Sequence, residues 1–355
     1  MTLTVLNVAY PLAPVGPDAA GGAEQVLARI DAALTANGDR SVVIACEGSR
    51  VTGTLLPTPV PASPLDEIAR AMAQARHRVA VQDAVLCYRP DVVHLHGFDF
   101  SAYLPPPGGP ALVTLHLPPA WYPATALRPK RPDTWLHCVS AAERRACPAD
   151  APLLDDIANG VETEAFAARH SKRPYVLCLG RICPEKGVHL ALDAATEARL
   201  ACLVAGALYA YPAHEEYFRT AVLPRLRDRH RWLGPVGFAR KRRLLSAARA
   251  LLVPSLAPET SSLVAMEALA CGTPVIAYAA GALPDIVDHG RTGFLVGDVA
   301  GMAAAIAAAG TLDTAACRRA AGERFRVEHM TARYLETYRR LAQGEARMEA
   351  HSHAA

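Results

Sequence analysis

Aromatic residues are scarce, 6% of 355, and no apolar run reaches the ~20 residues that a membrane-spanning helix needs. The longest stretches, such as Ala300–Ala309, fall well short. The start Met1-Thr2-Leu3-Thr4 lacks the basic segment of a secretory signal, so the expectation is a cytoplasmic protein without an integral membrane segment. The nine cysteines are odd in number and scattered, and none are spaced C-x2-C. That pattern suggests neither a disulfide framework nor a zinc site, and most of the thiols are expected to act as small buried hydrophobes. Neither half opens with G-x-G-x-x-G, and there is no G-x4-G-K-[S/T] and no D-x-D. A dinucleotide dehydrogenase and a P-loop nucleotidase are thereby disfavoured.

Apolar residues are plentiful, at 51% with 20% charged, which is enough for real cores and excludes a disordered chain. A length of 355 residues suggests two domains. The net charge of +3 is unevenly spread: residues 1–165 carry 12 Lys/Arg against 17 Asp/Glu, and residues 166–355 carry 25 against 17. A basic second half suits an anionic small molecule. Its clusters Arg225–Arg231 and Arg240–Arg243 lack interleaved aromatics, so they read as solvated helix faces and no nucleic-acid partner is expected. No basic amphipathic helix in the acidic half argues for lipid anchoring.

Short runs rich in Val, Ile and Leu at Leu3–Tyr10, Ser41–Cys46, Asp91–Gly97, Ala111–Leu117, Trp135–Ser140 and Leu154–Ala158 predict buried strands. Helix-period segments such as Ala23–Asn37 and Pro64–Tyr88 alternate with them, as a parallel sheet requires. The rhythm restarts with strands at Tyr175–Gly180, Leu200–Gly206, Ala250–Pro254, Val275–Tyr278 and Gly293–Val296. Helices are expected near 186–198, 213–229, 239–249, 261–271 and 314–326. The fold class is therefore α/β, with two Rossmann-like domains. The polar segment Arg169–Pro174 is the best linker, giving domains at 1–168 and 169–328. A last helix near Met330–Gln343 is expected to return to the first domain, followed by a fraying tail, Glu345–Ala355, with His351 and His353 solvated. A hinge at the linker would set the two sheets across a cleft, with ligands at the carboxyl ends of the strands.

The most informative stretch runs from Ala257 to Ile276. Thr260-Ser261-Ser262 offers hydroxyl caps for a helix reaching about Cys271. The amino end of such a helix suits a diphosphate, because its first amides lack internal acceptors and its dipole favours an anion. Glu259 and Glu267 would stand roughly 12 Å apart if both were helical. Two carboxylates so spaced can each take neutral hydroxyls on either side of a diphosphate. Glu267 lies in an apolar helix, where an unpaired carboxylate costs several kcal/mol. At the end of the first strand of the second half, Gly180-Arg181 and Lys186-Gly187 bring two cations to a strand mouth, where they can neutralise a diphosphate.

Several of these short motifs occur in one order: Gly180-Arg181 with Lys186-Gly187, Ala205-Gly206, Leu233–Val236, Ala250–Ser255, E-x7-E from Glu259 to Glu267, and Gly290–Leu295. Together they resemble the retaining, GT-B-fold glycosyltransferases of family 4 (glycosyltransferase group 1). In the first half the similarity is sparser: Gly21–Glu24, Asp91–His96, Leu115-His116, Val139-Ser140 and Asn159–Val161. The resemblance implies that Arg181 and Lys186 hold the diphosphate of a nucleotide-sugar, assisted by amides around Ser261, Ser262 and Leu263. Glu267 would bind the ribose, and Glu259 the sugar as a catalytic residue. Gly21 and Gly22 would let a loop approach the donor, and His116 would contact the reacting sugar as a second catalytic residue. His94 and His96 would line the cleft. Where the family often has Phe-Gly after the first Glu, this chain reads Thr260-Ser261-Ser262-Leu263, a departure that bears on donor identity.

The implied reaction is retaining transfer from a nucleotide diphosphate sugar to an acceptor hydroxyl, with no cofactor and no metal, the nucleotide-sugar being a co-substrate. A UDP-sugar is the first candidate, followed by GDP- and ADP-sugars. The acceptor is a glycan, a lipid-linked sugar or a small molecule. No carboxylate pair has the spacing of a retaining glycosidase. The competing readings are a sugar-nucleotide 2-epimerase and a non-catalytic nucleotide-sugar-binding protein.

Overall fold

The computed structural model describes residues 2–60 and 66–345. The expected tail, with His351 and His353, lies outside the described residues apart from Glu345. The chain divides into two compact units, one formed by residues 1–158 and 328–355, the other by 159–327.

The first unit holds a six-stranded parallel sheet made of β1 (Thr4–Val8), β2 (Arg40–Cys46), β3 (Thr54–Thr58), β4 (Val92–Leu95), β5 (Ala111–Leu115) and β6 (Thr134–Cys138). Its order is β3-β2-β1-β4-β5-β6. The strands read as near-continuous apolar runs because helices cover the faces of a parallel sheet. Helices α1 (Gly22–Ala36), α2 (Glu67–Tyr88) and α3 (Ala141–Ala146) lie between strands or after the last one. Asp66 caps α2 by accepting from the Ala69 amide, and Ser140 caps α3 by accepting from Glu143.

The second unit repeats the plan with β7 (Tyr175–Leu179), β8 (Ala201–Ala205), β9 (Arg231–Trp232), β10 (Leu251–Val253), β11 (Val275–Tyr278) and β12 (Gly293–Val296). Its order, β12-β11-β10-β7-β8-β9, is the same winding read from the other edge. Its helices are α4 (Val188–Glu197), α5 (Pro212–Tyr217), α6 (Phe238–Ala247), α7 (Leu263–Ala270), α8 (Leu283–Ile286), α9 (Val299–Ala308) and α10 (Thr314–Arg324). One core gathers Val176, Leu192, Val204, Leu252, Ile276 and Ile306. In each sheet the winding reverses direction once, between β1 and β4 and between β7 and β10. Doubly wound sheets open a ligand crevice at such a point, beyond the carboxyl ends of the strands.

Three expectations need correcting. The segment Leu154–Ala158 is no strand: it makes two backbone hydrogen bonds to β6, from Leu154 to Leu136 and from Ile157 to Cys138, without a ladder. The helix expected over 213–229 ends as an α-helix at Tyr217 and continues to Arg225 only in other helical turns. The break between units falls after Ala158, before the expected linker, because the intervening residues bond into the second unit. Val161 donates to the Phe325 carbonyl, Ala168 accepts from Ser246 Oγ, and Phe166 is buried.

The last helix, α11 (Val327–Ala342), belongs to the first unit from Glu328 onward and buries Tyr334 and Tyr338 there. Among the described residues, no single helix is long and apolar enough to cross a membrane.

Candidate active site

In the second unit both loops at the reversal point carry charge. The loop after β7 holds Gly180, Arg181 and Lys186, and the loop after β10 holds Ser255 and Glu259 before α7 begins. Lys186 Nζ lies 2.6 Å from Glu259 Oε1, and the Ser255 hydroxyl donates to the same oxygen. Glu259 is nearly covered, at 10% side-chain exposure, while Lys186 keeps 30%. The carboxylate is therefore fixed and the ammonium reachable. Arg181 forms only a loose pair, 3.9 Å from Glu185, and stays partly exposed. Two glycines make this arrangement possible. Gly187 sits at φ +61°, where a Cβ would come within 2.2 Å of the Pro254 carbonyl oxygen. Gly281, at φ +60°, lets the backbone at Glu259 run alongside, and Ala282 N donates to the Glu259 carbonyl at 2.7 Å. Any side chain at either glycine would drive these loops apart.

Glu259 lies ahead of the helix, not in it, so the 12 Å helical separation from Glu267 does not apply: α7 starts at Leu263 and ends at Ala270. Ser262 occupies the cap position without a side-chain capping bond. The first amides of α7, at Leu263 and Val264, have no acceptor within the helix and form the anion-seeking end expected beside Ser261 and Ser262.

Glu267 is 1% exposed and pairs with Lys241 of α6, Nζ to Oε1 at 2.7 Å. The same ammonium stands 5.2 Å from the centre of the Phe166 ring. The reading of Arg240–Arg243 as a solvated face is thus wrong for Lys241, which is 12% exposed on its side chain and neutralises a buried carboxylate. No periodicity marks that pairing, because it joins two helices.

In the first unit the carboxyl ends of β4, β5 and β6 bring four imidazoles together. His94 is hydrogen-bonded through Nδ1 to the Tyr338 hydroxyl at 2.6 Å and through Nε2 to Thr114 Oγ1 at 2.7 Å. Thr114 Oγ1 also meets His137 Nε2 at 2.7 Å. His96 Nδ1 meets His116 Nε2 at 3.2 Å, with the rings stacked 5.5 Å apart. The Tyr122 hydroxyl accepts from the backbone N–H groups of His116 and Leu117. Burial pushes the His116 imidazole down to about 3 and His137 to about 4, and holds His94 and His96 well below the ordinary imidazole value. These rings are neutral at pH 7, so His116 offers a donor or acceptor and no positive charge.

Gly21 and Gly22 sit at the start of α1. The room at Gly21 is used by the chain itself, since a Cβ there would meet Glu24 Oε2 at 1.9 Å. The small residue lets the Glu24 carboxylate fold back over the amino end of its own helix.

Residues 173–310 match the family described as glycosyl transferases group 1. A D-inositol 3-phosphate glycosyltransferase of Mycolicibacterium paratuberculosis is 34% identical over 220 residues, covering 54% of this chain and 48% of the relative. The chain thus spans about half the length of that relative. Among solved structures, the sucrose-phosphate synthase of Thermosynechococcus elongatus superposes with a TM-score of 0.80 at 21% identity, over 96% of this chain and 100% of the other. HepE of Anabaena, in complex with UDP and glucose, gives 0.73 at 20% identity, over 94% and 99%. Residues 173–310 are thus similar to the glycosyl transferases group 1 family, and the two Rossmann-like sheets are of the GT-B fold.

Proposed function

We propose that the protein is a cytoplasmic retaining glycosyltransferase that moves a sugar from a nucleotide diphosphate sugar to an acceptor hydroxyl. The observation that carries the reading is the Lys186–Glu259 pair beside the open amino end of α7, at the reversal point of a sheet that matches the family. An ammonium has three protons: one serves Glu259, and the others are available to phosphate oxygens. Arg181, loosely paired, adds a second cation to the diphosphate, and the α7 amides add fixed dipoles. Glu259, held by Lys186 and Ser255, presents its carboxylate to sugar hydroxyls. Glu267, with Lys241 behind it, is assigned to the ribose. From the first unit the reading assigns His116 a polar contact to the reacting sugar.

In the transfer, the bond from the anomeric carbon to the phosphate oxygen breaks and the diphosphate leaves with the electron pair. The acceptor oxygen bonds to the same face of that carbon, and its proton passes to the departing phosphate. The protein's share is orientation and stabilisation of the leaving charge. The cations and helix end suffice for that stabilisation, so transfer is expected to persist in EDTA.

The UDP and glucose held by HepE support a UDP-sugar donor. The named relative supports a phosphorylated polyol among the acceptors to try. The test is a thermal-shift screen of UDP-, GDP- and ADP-sugars, followed by mass spectrometry with an acceptor panel that includes D-inositol 3-phosphate. Donor-dependent mass gain on an acceptor, lost in Lys186→Ala, is the expected result. An epimerised donor without transfer, or binding without any turnover, would replace this reading with a different one.

A further inference from the structure

Three side chains next to the cation loop have no place in the transfer just described. Cys183 and Glu185 belong to the loop after β7, and His214 lies on α5, which packs over that loop. One ligand atom from each, the Cys183 thiol, a Glu185 oxygen and a His214 ring nitrogen, all lie within 4.8 Å of one another. Nδ1 of His214 is buried and has no hydrogen-bond partner among the described residues. Cys183 is itself fully covered.

We propose that Cys183, Glu185 and His214 form a zinc site that fastens α5 to the loop bearing Arg181 and Lys186. Thiolate, imidazole and carboxylate are the ligand set that zinc accepts in tetrahedral geometry, with a water in the fourth position. Ligand atoms around tetrahedral zinc stand roughly 3.3–3.7 Å apart at the usual bond lengths. Closing in from 4.8 Å needs a movement of about 1 Å, within the reach of side-chain rotation. The charge also balances: one thiolate and one carboxylate neutralise the dication, which offsets the repulsion of Arg181 and Lys186 nearby. Magnesium, which prefers a shell of oxygens, is the wrong ion for this set.

Cysteine ligates zinc as the thiolate, so binding releases the thiol proton to solvent as the S–H bond gives way to S–Zn.

The experiment titrates the full chain, stripped with EDTA and dialysed, with Co²⁺ and then Zn²⁺. The expected result is one Co²⁺ per chain, with tetrahedral visible bands and a thiolate-to-cobalt charge-transfer band that Zn²⁺ abolishes. Calorimetry in buffers of different ionisation enthalpy should count one proton released. Cys183→Ser should lose the charge-transfer band, and His214→Ala and Glu185→Gln should bind at least about tenfold more weakly. Circular dichroism checks that each variant is folded, and His214→Asn stands in if His214→Ala is not. A band that survives Cys183→Ser, that disappears with Cys87→Ser or with His351→Ala and His353→Ala, or that never forms overturns the assignment. These spectra are independent of transfer, so the glycosyltransferase reading can fail while the site stands, or the reverse.

Discussion

At the carboxyl ends of β4, β5 and β6 the first unit gathers His94, His96, His116 and His137 with Thr114, Tyr334 and Tyr338, all hydrogen-bonded as neutral groups. At the ends of β7 and β10 the second unit gathers Arg181, Lys186 and Glu259, with the Glu267–Lys241 pair on α7 and α6. One strand order thus supports two different solutions. A neutral network fixes ring positions and tautomers at little electrostatic cost, which suits a polar surface that must stay put. A charged constellation must keep its ions partly wet or tightly paired, which suits a site awaiting an anion.

The contrast is sharpest where a buried charge loses its cation. Lys241→Met removes the ammonium paired with the buried Glu267 and should cost the second unit about 3–5 kcal/mol. Hydrogen exchange by mass spectrometry should show faster exchange in α6, α7 and β10 with β4 and β5 unchanged. Loosening of both units together would break the comparison. Next in size, Glu259→Gln keeps the shape of the side chain but removes the charge facing Lys186. Transfer should fall about 10²–10³-fold, as for loss of one electrostatic contact to the reacting group. Nucleotide affinity, measured by calorimetry, should change far less, and an equal loss of both would remove Glu259 from the sugar.

Acid should press harder on the first unit, where burial holds five histidines down, than on the second, where His189, His214 and His230 are lowered as well. The first unit's five have folded pKa values below the unfolded 6.5, so as pH falls beneath 6.5 the unfolded chain takes up protons that the folded unit refuses. Stability is then lost by up to about 1.4 kcal/mol per pH unit for each such ring, until its own pKa is reached. Glu143, pushed up to about 9 by burial, works in the opposite sense between 4.5 and 9, but with one proton against several. Urea unfolding followed from pH 7 to pH 5 should show β4 and β5 opening before β7 and β8. A flat profile for the first unit would mean that its rings take up protons as readily folded as unfolded. The smallest effect expected is from Tyr338→Phe, which leaves His94 Nδ1 without its partner and should cost about 1–3 kcal/mol in the first unit alone.

The second unit was the more readable in sequence, and the reason is local. Val275–Tyr278 and Gly293–Val296 form strands at the expected residues, because short apolar runs between turn residues leave little choice of ends. Lys186 and Glu259 come from contiguous motifs at strand ends, and they meet in space. Hidden from view were β3, whose Pro57 argues against a strand except at a sheet edge, where it lies, and α9, whose alanine-rich run shows no polar period. Lys241 was hidden too, since its basic neighbours imitate a wet helix face. The histidine network of the first unit was beyond local reading, because it joins three strands to a helix more than 200 residues later in the chain.

That long reach has a consequence for how the molecule is made. The phenols of α11 that seat against His94 and Thr114 leave the ribosome after every residue of the second unit. The second unit has all of its residues translated by Val327 and can finish first, whereas the part of the first unit before Asn159 must wait, incomplete, until α11 has been made. A stop codon or protease cut just after Val327 would spare the later-encoded unit and leave the earlier one unfinished.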